Sequence, residues 1–268
     1  MNTENLGNQL NSIVRETINM LFGQGEQAQL TYKGLDSVAK EINASEENKI
    51  EVVVPVGYRP DRTAIESKHI YRKNELLEKY NFLIFQQLPL NGLVQIVTIV
   101  EAMFSDVVRA VIIRYPKKLG SKRTLPLQAV LESTTVEEIH LHATDAFLNE
   151  LSYKSPIDFS NSVGSILSVN FLECSAFHKY VEIKACRDIF IHNRGIANDI
   201  YVRKAGSHAR VKSGMVLPVD IQYFLESYEH CLQMVEWLEK ELHQHWHSSD
   251  LEDRQSDQME MPLPEQEE

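Results

Sequence analysis

Apolar residues recur at helical spacing along most of this chain of 268 residues. A period of three to four residues buries one face of a helix, whereas a half-buried strand needs strict alternation. Only residues 50–56, which are short and β-branched, fit a strand or an extended covering segment. The pattern therefore predicts a mainly α-helical bundle with a small extended region near its N-terminus.

Glycines, prolines and capping residues divide this pattern into separate helices. The first predicted helix ends at Gly23 and Gly25. The most apolar helix covers residues 90–115, and Pro116 closes it. Thr135 is the predicted N-cap of a helix that reaches about residue 153. Further helices are predicted over residues 71–87, 160–169, 171–193 and 218–242, with a turn over residues 155–159 and a glycine cap at Gly195.

Composition and the ends of the chain favour a cytoplasmic protein. Apolar residues make up 43% of the chain, so a buried core is feasible, but no apolar run is long enough to cross a bilayer. The N-terminus lacks the basic start and apolar segment of a signal peptide. The 3 cysteines have neither a pairing pattern nor zinc spacing, which favours a reducing compartment. We expect no contact with a membrane.

Three segments are expected along the chain. Residues 1–60 would form an N-terminal helix with an extended covering segment, and residues 61–247 the main helical domain. Residues 248–268 carry many acids and two prolines, so we expect them to be disordered. Eight acids against one arginine give this tail a charge of −7 out of the total of −11.

Basic residues cluster in two stretches of the remaining chain. Residues 107–131 hold six bases and no acid, and residues 187–212 hold six bases against two acids. This distribution is compatible with RNA binding, and equally with basic side chains on solvated helix faces. The candidate RNA contacts are Arg109, Arg114, Lys117, Lys118 and Arg194.

The sequence CRDIFIHNRG at residues 186–195 lies at the C-terminal end of a predicted amphipathic helix. Asp188 and His192 are four residues apart and share a helix face, so the carboxylate could orient the imidazole. Arg187 and His192 lie about 140° apart around the helix and about 7.5 Å apart along it. One copy therefore does not bring them together, whereas two copies across a twofold axis could surround one phosphate.

These residue types suit the cleavage of RNA without a metal. The reaction needs a base for the ribose 2′-OH, an acid for the leaving 5′-oxygen and a cation for the phosphate. Histidine titrates near neutrality and serves as base or acid. Arginine stays charged and binds two phosphate oxygens at once. Asn193, beside the histidine, can donate a further hydrogen bond.

The motif Arg187-Asp188-x₃-His192, followed by Asn193-Arg194-Gly195, resembles the arginine–polar–x₃–histidine signature of the HEPN superfamily, and in particular its RiboL-PSP-type branch. In that branch a long apolar helix that carries an acid, here Glu101, precedes the motif helix. The resemblance covers about residues 71–242. It implies an antiparallel helical bundle, a homodimer whose motif helices meet, and a metal-independent endoribonuclease without a cofactor.

The resemblance also assigns roles to residues. Arg187 and His192 match the catalytic pair, and Asp188 the variable polar position. Asn193 would contact phosphate or the scaffold. Glu101 would match the acid of the apolar helix, and its structural alternatives are a helix-surface acid or a buried partner of a motif arginine. The expected partners are RNA, a second copy of the chain and, for a role as a toxin or in defence against phage, a neutralising antitoxin.

Two less specific interpretations remain open. Arg187 and His192 would also stabilise a helix C-terminus through its dipole, in a non-catalytic dimer that binds RNA or protein, or in a structural adaptor.

His243 and His247 share a helix face but lack further ligands, so no metal site is predicted. Cys186 follows the pattern of a small packing residue rather than of a nucleophile.

Overall fold

A computed structural model describes residues 5–120 and 124–246, without the side chains of residues 152 and 153. It is mainly helical, as the apolar pattern predicts, and contains a β-hairpin. The predicted acidic tail lies outside the described residues. The elements are α1 (Leu6–Ala44), β1 (Lys49–Tyr58), β2 (Ala64–Arg72), α2 (Lys73–Phe82), α3 (Leu88–Arg114), α4 (Leu127–Glu132), α5 (Val136–Tyr153), α6 (Pro156–Leu167), α7 (Phe177–Asn193), α8 (Asp199–Ala205) and α9 (Ile221–His245).

The most apolar helix, α3, lies at the centre of the fold. It packs against α1, α5, α6, α7 and α9, and Leu93, Ile96, Val97 and Val100 on its surface are fully buried. Burial of one such side chain contributes about 1.5–3 kcal/mol. Even so, no helix in the described part of the chain has both the length and the apolar character needed to span a membrane.

Helix α1 is longer than the sequence predicts. It continues through Gly23 and Gly25 for 39 residues in all. A glycine inside a helix costs only about 1 kcal/mol, which tertiary packing can offset. At Gly25 an added Cβ would lie 3.1 Å from the Tyr228 ring, so this glycine permits a close approach of α9. Leu21 before the glycines and Ala28 after them are both buried in the core.

Of the two interpretations of residues 50–56, the structure shows the strand, and its partner β2 was not expected. The two strands are antiparallel, from Lys49 opposite Arg72 to Tyr58 opposite Ala64. The sequence of β2 is mostly polar and its side chains are largely exposed, so it lacks the alternation that marks a half-buried strand.

Some predicted helix boundaries are confirmed, and others lie at different residues in the structure. Thr135 caps α5 as predicted, and α3 ends at Arg114, one residue before its predicted end. Helix α2 passes through a π-helical turn at Leu83–Gln87 directly into α3, whose first turn contains Pro89. The predicted turn at residues 155–159 is instead the start of α6, where Pro156 occupies a first-turn position that needs no N–H donor. Helix α7 begins at Phe177 rather than at residue 171.

A buried carboxylate joins α7 to α8, α9 and the loop between them. Glu182 is 4% exposed and accepts hydrogen bonds from the Tyr201 hydroxyl at 2.7 Å, the Tyr223 hydroxyl at 2.8 Å and Nε of Arg210 at 3.1 Å. Arg210 also donates to the carbonyl oxygen of Pro218 at 2.6 Å. Burial raises the pKa of both tyrosines, so they remain hydrogen-bond donors. A charge with this many partners fixes the loop against α7.

We expect Glu182→Gln to lower the free energy of unfolding by about 3 kcal/mol, because it leaves the Arg210 charge buried without its partner. Urea denaturation followed by circular dichroism measures the change. Glu239→Gln is the control, since Glu239 pairs with Arg15, whose side chain is 76% exposed. That pair is worth at most about 1 kcal/mol. Equal losses in the two variants would contradict the importance of the buried network.

Candidate active site on the motif helix

Arg187 lies in an ion pair that joins α7 to α3. Its Nη2 contacts Oε2 of Glu101, and its Nη1 lies 3.2 Å from Oδ1 of Asp188. The Arg187 side chain is only 14% exposed. Of the two interpretations of Glu101, the structure supports the partner of a motif arginine.

Two lysines extend this pair into an ion-pair cluster of Glu101, Lys184, Arg187, Asp188 and Lys204. Nζ of Lys184 donates to Oε1 of Glu101 and lies 3.7 Å from Oδ2 of Asp188. Nζ of Lys204, on α8, lies 4.0 Å from the same Asp188 oxygen. Three cations and two carboxylates give the cluster a net charge of +1. It therefore favours the approach of one more anion.

Two guanidinium nitrogens of Arg187, Nε and Nη2, are buried without a hydrogen-bond partner among the described residues, although Nη2 lies in ion-pair contact with Glu101. An unmade hydrogen bond at a buried donor costs about 1–3 kcal/mol. An acceptor that reached Nε, such as a phosphate oxygen, would recover that free energy.

His192 is separated from the cluster. It is exposed in the last turn of α7, and the structure gives its imidazole no hydrogen bond or ion pair within residues 5–120 and 124–246. The expected contact between Asp188 and His192 is not formed. The Asp188 carboxylate instead lies within 4.0 Å of the basic side chains of Lys184, Arg187 and Lys204, which attract its negative charge.

The turn that follows the motif is fixed by local hydrogen bonds. Nδ2 of Asn193 donates to the carbonyl oxygen of Ile196, so of its two expected roles Asn193 has the scaffold contact. Arg194 and Gly195 adopt positive φ angles of 52° and 78°, which confirms the predicted glycine cap. The Leu217 N–H donates to the Gly195 carbonyl at 2.9 Å, which holds the returning loop against the turn. The Arg194 side chain is exposed.

The candidate RNA contacts of the first basic stretch lie in varied surroundings. Arg109 pairs with Asp106 at 3.3 Å and Asp145 at 3.2 Å. Lys118 donates to the carbonyl oxygen of Ile166 at 2.8 Å and lies over the Trp246 ring, and burial lowers its pKa. Both side chains have partners within the fold, and in the described residues neither contacts the ion-pair cluster.

The two other candidate contacts of that stretch, Arg114 in the last turn of α3 and Lys117 in the short turn after it, are both exposed.

Sequence reasoning missed the two lysines of the cluster. Lys184 precedes Asp188 by four residues on α7, so helical spacing alone could have indicated that pair. Lys204 could not be placed this way, because its position depends on the path of residues 194–198 between α7 and α8.

Cys186 has the packing role expected of it. It is fully buried, and its Sγ accepts a contact from Nη2 of Arg210 at 3.1 Å. Burial raises the pKa of its thiol to about 11, so the thiol is protonated at neutral pH. Among the described residues no group of three or more potential ligands is placed to hold a metal ion, and His247 lies outside them.

Comparison of the chain with protein-family models, with curated proteins and with solved structures finds no match.

We expect Gly195→Ala to lower the free energy of unfolding by about 2 kcal/mol or more. Alanine would have to adopt φ +78°, and its Cβ would lie 2.8 Å from the Phe190 ring. Gly214→Ala is the matched control, since φ is +86° there but the surrounding space is open, and about 1 kcal/mol is expected. Urea denaturation compares the two. The same loss in both would show that the Phe190 contact does not matter.

Proposed function

We propose that this protein is a metal-independent endoribonuclease of HEPN type that cleaves RNA by attack of a ribose 2′-OH. The observation that supports this most is the arrangement on α7. The motif arginine is paired with the acid of the central apolar helix, and the motif histidine is exposed one turn further on. An acid on the apolar helix and an arginine–histidine pair on the motif helix are the features that the resemblance implies.

The chemistry follows from the state of the two side chains. His192 is open to solvent and can accept a proton from a 2′-OH or donate one to a leaving oxygen. Arg187 lies in a cluster of net charge +1, where a phosphate would supply the missing negative charge. Asp188 and Glu101 then hold the arginine in place rather than acting on the substrate.

Dimerisation through the motif helix is part of the proposal. Arg187 and His192 lie on different sides of one helix, so a second copy is needed to bring both types of group around one phosphate. Apolar side chains next to His192 support such an interface. They are Ile191, Ile196, Met215 and Val216, and each is between 43% and 68% exposed.

One observation favours the alternative, a non-catalytic dimer that binds RNA or protein. The guanidinium of Arg187 already has two carboxylate partners, and a substrate phosphate would have to compete with Glu101. The cleavage experiment below separates the two functions. A role as a toxin or in defence against phage, with a neutralising antitoxin, and a cytoplasmic location stay predictions.

Cleavage is tested by incubating the purified protein with RNA in EDTA. We expect fragments that carry a cyclic phosphate upstream and a 5′-hydroxyl downstream, and no cleavage of 2′-O-methyl RNA. His192→Ala should lower the rate by about 10²–10⁴-fold, the contribution of a general acid or base. Arg187→Ala should lower it by about 10²–10³-fold, the contribution of one group that stabilises charge in the transition state. His142→Ala, an exposed histidine on α5, is the control and should leave the rate unchanged.

Two outcomes would exclude this mechanism. The first is activity that persists in both variants. The second is a product with a 5′-phosphate, which would identify water rather than the 2′-OH as the nucleophile. RNA that binds without being cut, in wild type as in the variants, would favour the binding function.

The dimer is tested by placing a charge in the apolar surface beside His192. Val216→Asp should convert the dimer to a monomer and abolish cleavage, because a carboxylate would be buried without a partner in the interface. Light scattering measures the mass. Leu131→Asp on α4, where the side chain is 75% exposed, is the control and should remain dimeric. Wild-type protein that cleaves RNA as a monomer would contradict the proposal.

A further inference from the structure

A groove of about 640 Å³ lies between the start of α6, the first turns of α7 and the end of α8. We call it the cationic groove. Its charged side chains are Lys154, Arg203 and Lys204, and none of its described lining residues is an acid. His178 and His208 stack in its wall, with 6.4 Å between their ring centres. A groove lined by charges of one sign concentrates ions of the opposite sign.

The cations of this groove are only partly neutralised. Arg203 is exposed, and no ion pair is found for it within the described residues. Lys204 lies 4.0 Å from Asp188, at the limit of an ion pair. Lys154 pairs with Glu150 at 3.0 Å. The groove therefore retains positive charge for a ligand.

The groove shares Lys154, Pro156, Phe177 and Lys204 with a second cavity of about 110 Å³. We call this the aromatic cavity. Aliphatic side chains of α5 complete its wall, among them Leu148. Its aromatic lining consists of Phe104, Phe159, Phe177 and Tyr180.

The size and polarity of the aromatic cavity limit what it can hold. An engineered apolar cavity of about 150 Å³ holds one benzene ring, and the aromatic cavity is smaller at about 110 Å³, so at most part of a single six-membered ring enters it and a fused double ring does not. Tyr180 is 2% exposed, and its hydroxyl has no hydrogen-bond partner in the described part of the chain. Ser105 brings a second hydroxyl to the lining. Both could meet polar atoms on the edge of a ring.

We propose that the cationic groove and the aromatic cavity together bind a pyrimidine nucleotide. Its phosphate lies on Lys154, Arg203 and Lys204, and its ring lies among the aromatic side chains. Lysine and arginine are the usual partners of phosphate, and aromatic side chains stack with nucleobases. The site does not need Arg187 or His192 to cut RNA, so the inference goes beyond the proposed function.

The nucleotide has two sources, a free mononucleotide or one residue of an RNA strand. Glu101 and Lys184 line the aromatic cavity and also belong to the ion-pair cluster. A nucleotide of a strand held here would therefore place its neighbours close to Arg187.

Calorimetric titration of the full chain tests the proposal with CMP, UMP, AMP, inorganic phosphate and a 2′-O-methyl octauridylate that resists cleavage. We expect one pyrimidine ligand to bind at least about tenfold more tightly than AMP and inorganic phosphate, a difference of about 1.4 kcal/mol. Binding of CMP or UMP identifies a free nucleotide as sufficient. Binding of the octamer alone, more tightly than an octaadenylate with the same modification, identifies the strand. Equal binding of AMP and CMP, or no binding of any of these, would overturn the proposal.

Variants locate the ligand. Lys204→Gln should weaken pyrimidine binding about tenfold by removing one phosphate contact. Lys179→Gln, exposed on α7 outside the groove, is its control. Leu148→Phe should weaken binding at least as much by filling the aromatic cavity, with Leu141→Phe on the same helix as its control. Thermal melting shows whether Leu148→Phe is folded. If that variant is not folded, pyrimidine binding by Lys204→Gln decides the test. Binding that is unchanged in Lys204→Gln would place the ligand elsewhere and overturn the proposal.

Discussion

The burial of α3 is the constraint on which the rest of the structure depends. This helix packs against α1, α5, α6, α7 and α9, and the 13 of its 27 residues that are buried are all apolar or glycine. Glu101 interrupts that surface and has to be neutralised where α7 crosses it. Lys184 and Arg187 provide the charges, and the motif helix is thereby fixed to the core at the point where its functional residues begin. The candidate site therefore lies where the charges of α7 neutralise the acid of α3.

The sequence predicts the parts of the fold that depend on local interactions. The C-terminal end of α3 and the Thr135 cap are set by Pro116 and by a hydroxyl, so both could be located to within one residue from the sequence. The start of α3 could not, because a π-helical turn joins α2 to it without a break. The length of α1 could not, because Gly23 and Gly25 signal a helix end and only the close packing of α9 shows why the helix continues. Strand β2 owes its conformation to its pairing with β1, which local polarity does not indicate.

The candidate site likewise contains residues that could be located from the sequence and residues that could not. The motif residues of α7 could be identified because they are adjacent in sequence, and the pairing of Glu101 with a motif arginine was one of the two roles considered. The partner of Asp188 was assigned incorrectly. Helical spacing states which side chains share a face, but the choice among partners depends on Lys204, which comes from another helix. Glu182 and Arg210 escaped notice for a related reason, since they are 28 residues apart and meet only through the loop that Arg210 fixes.

A chain with a net charge of −11 can still bind an anion, because the effect of a charge depends on its distance. At physiological ionic strength the Debye length is about 8 Å, so exposed acids elsewhere on the surface are largely screened at the groove. The charges that matter are those in contact with the ligand. In the cationic groove these are a lysine at the end of α5 and an arginine and a lysine on α8, and the ion-pair cluster beside it has a net charge of +1. Both regions favour phosphate, and they share Lys204. A change at that lysine would therefore alter the electrostatic potential at Asp188 as well as in the groove, and through Asp188 the environment of Arg187.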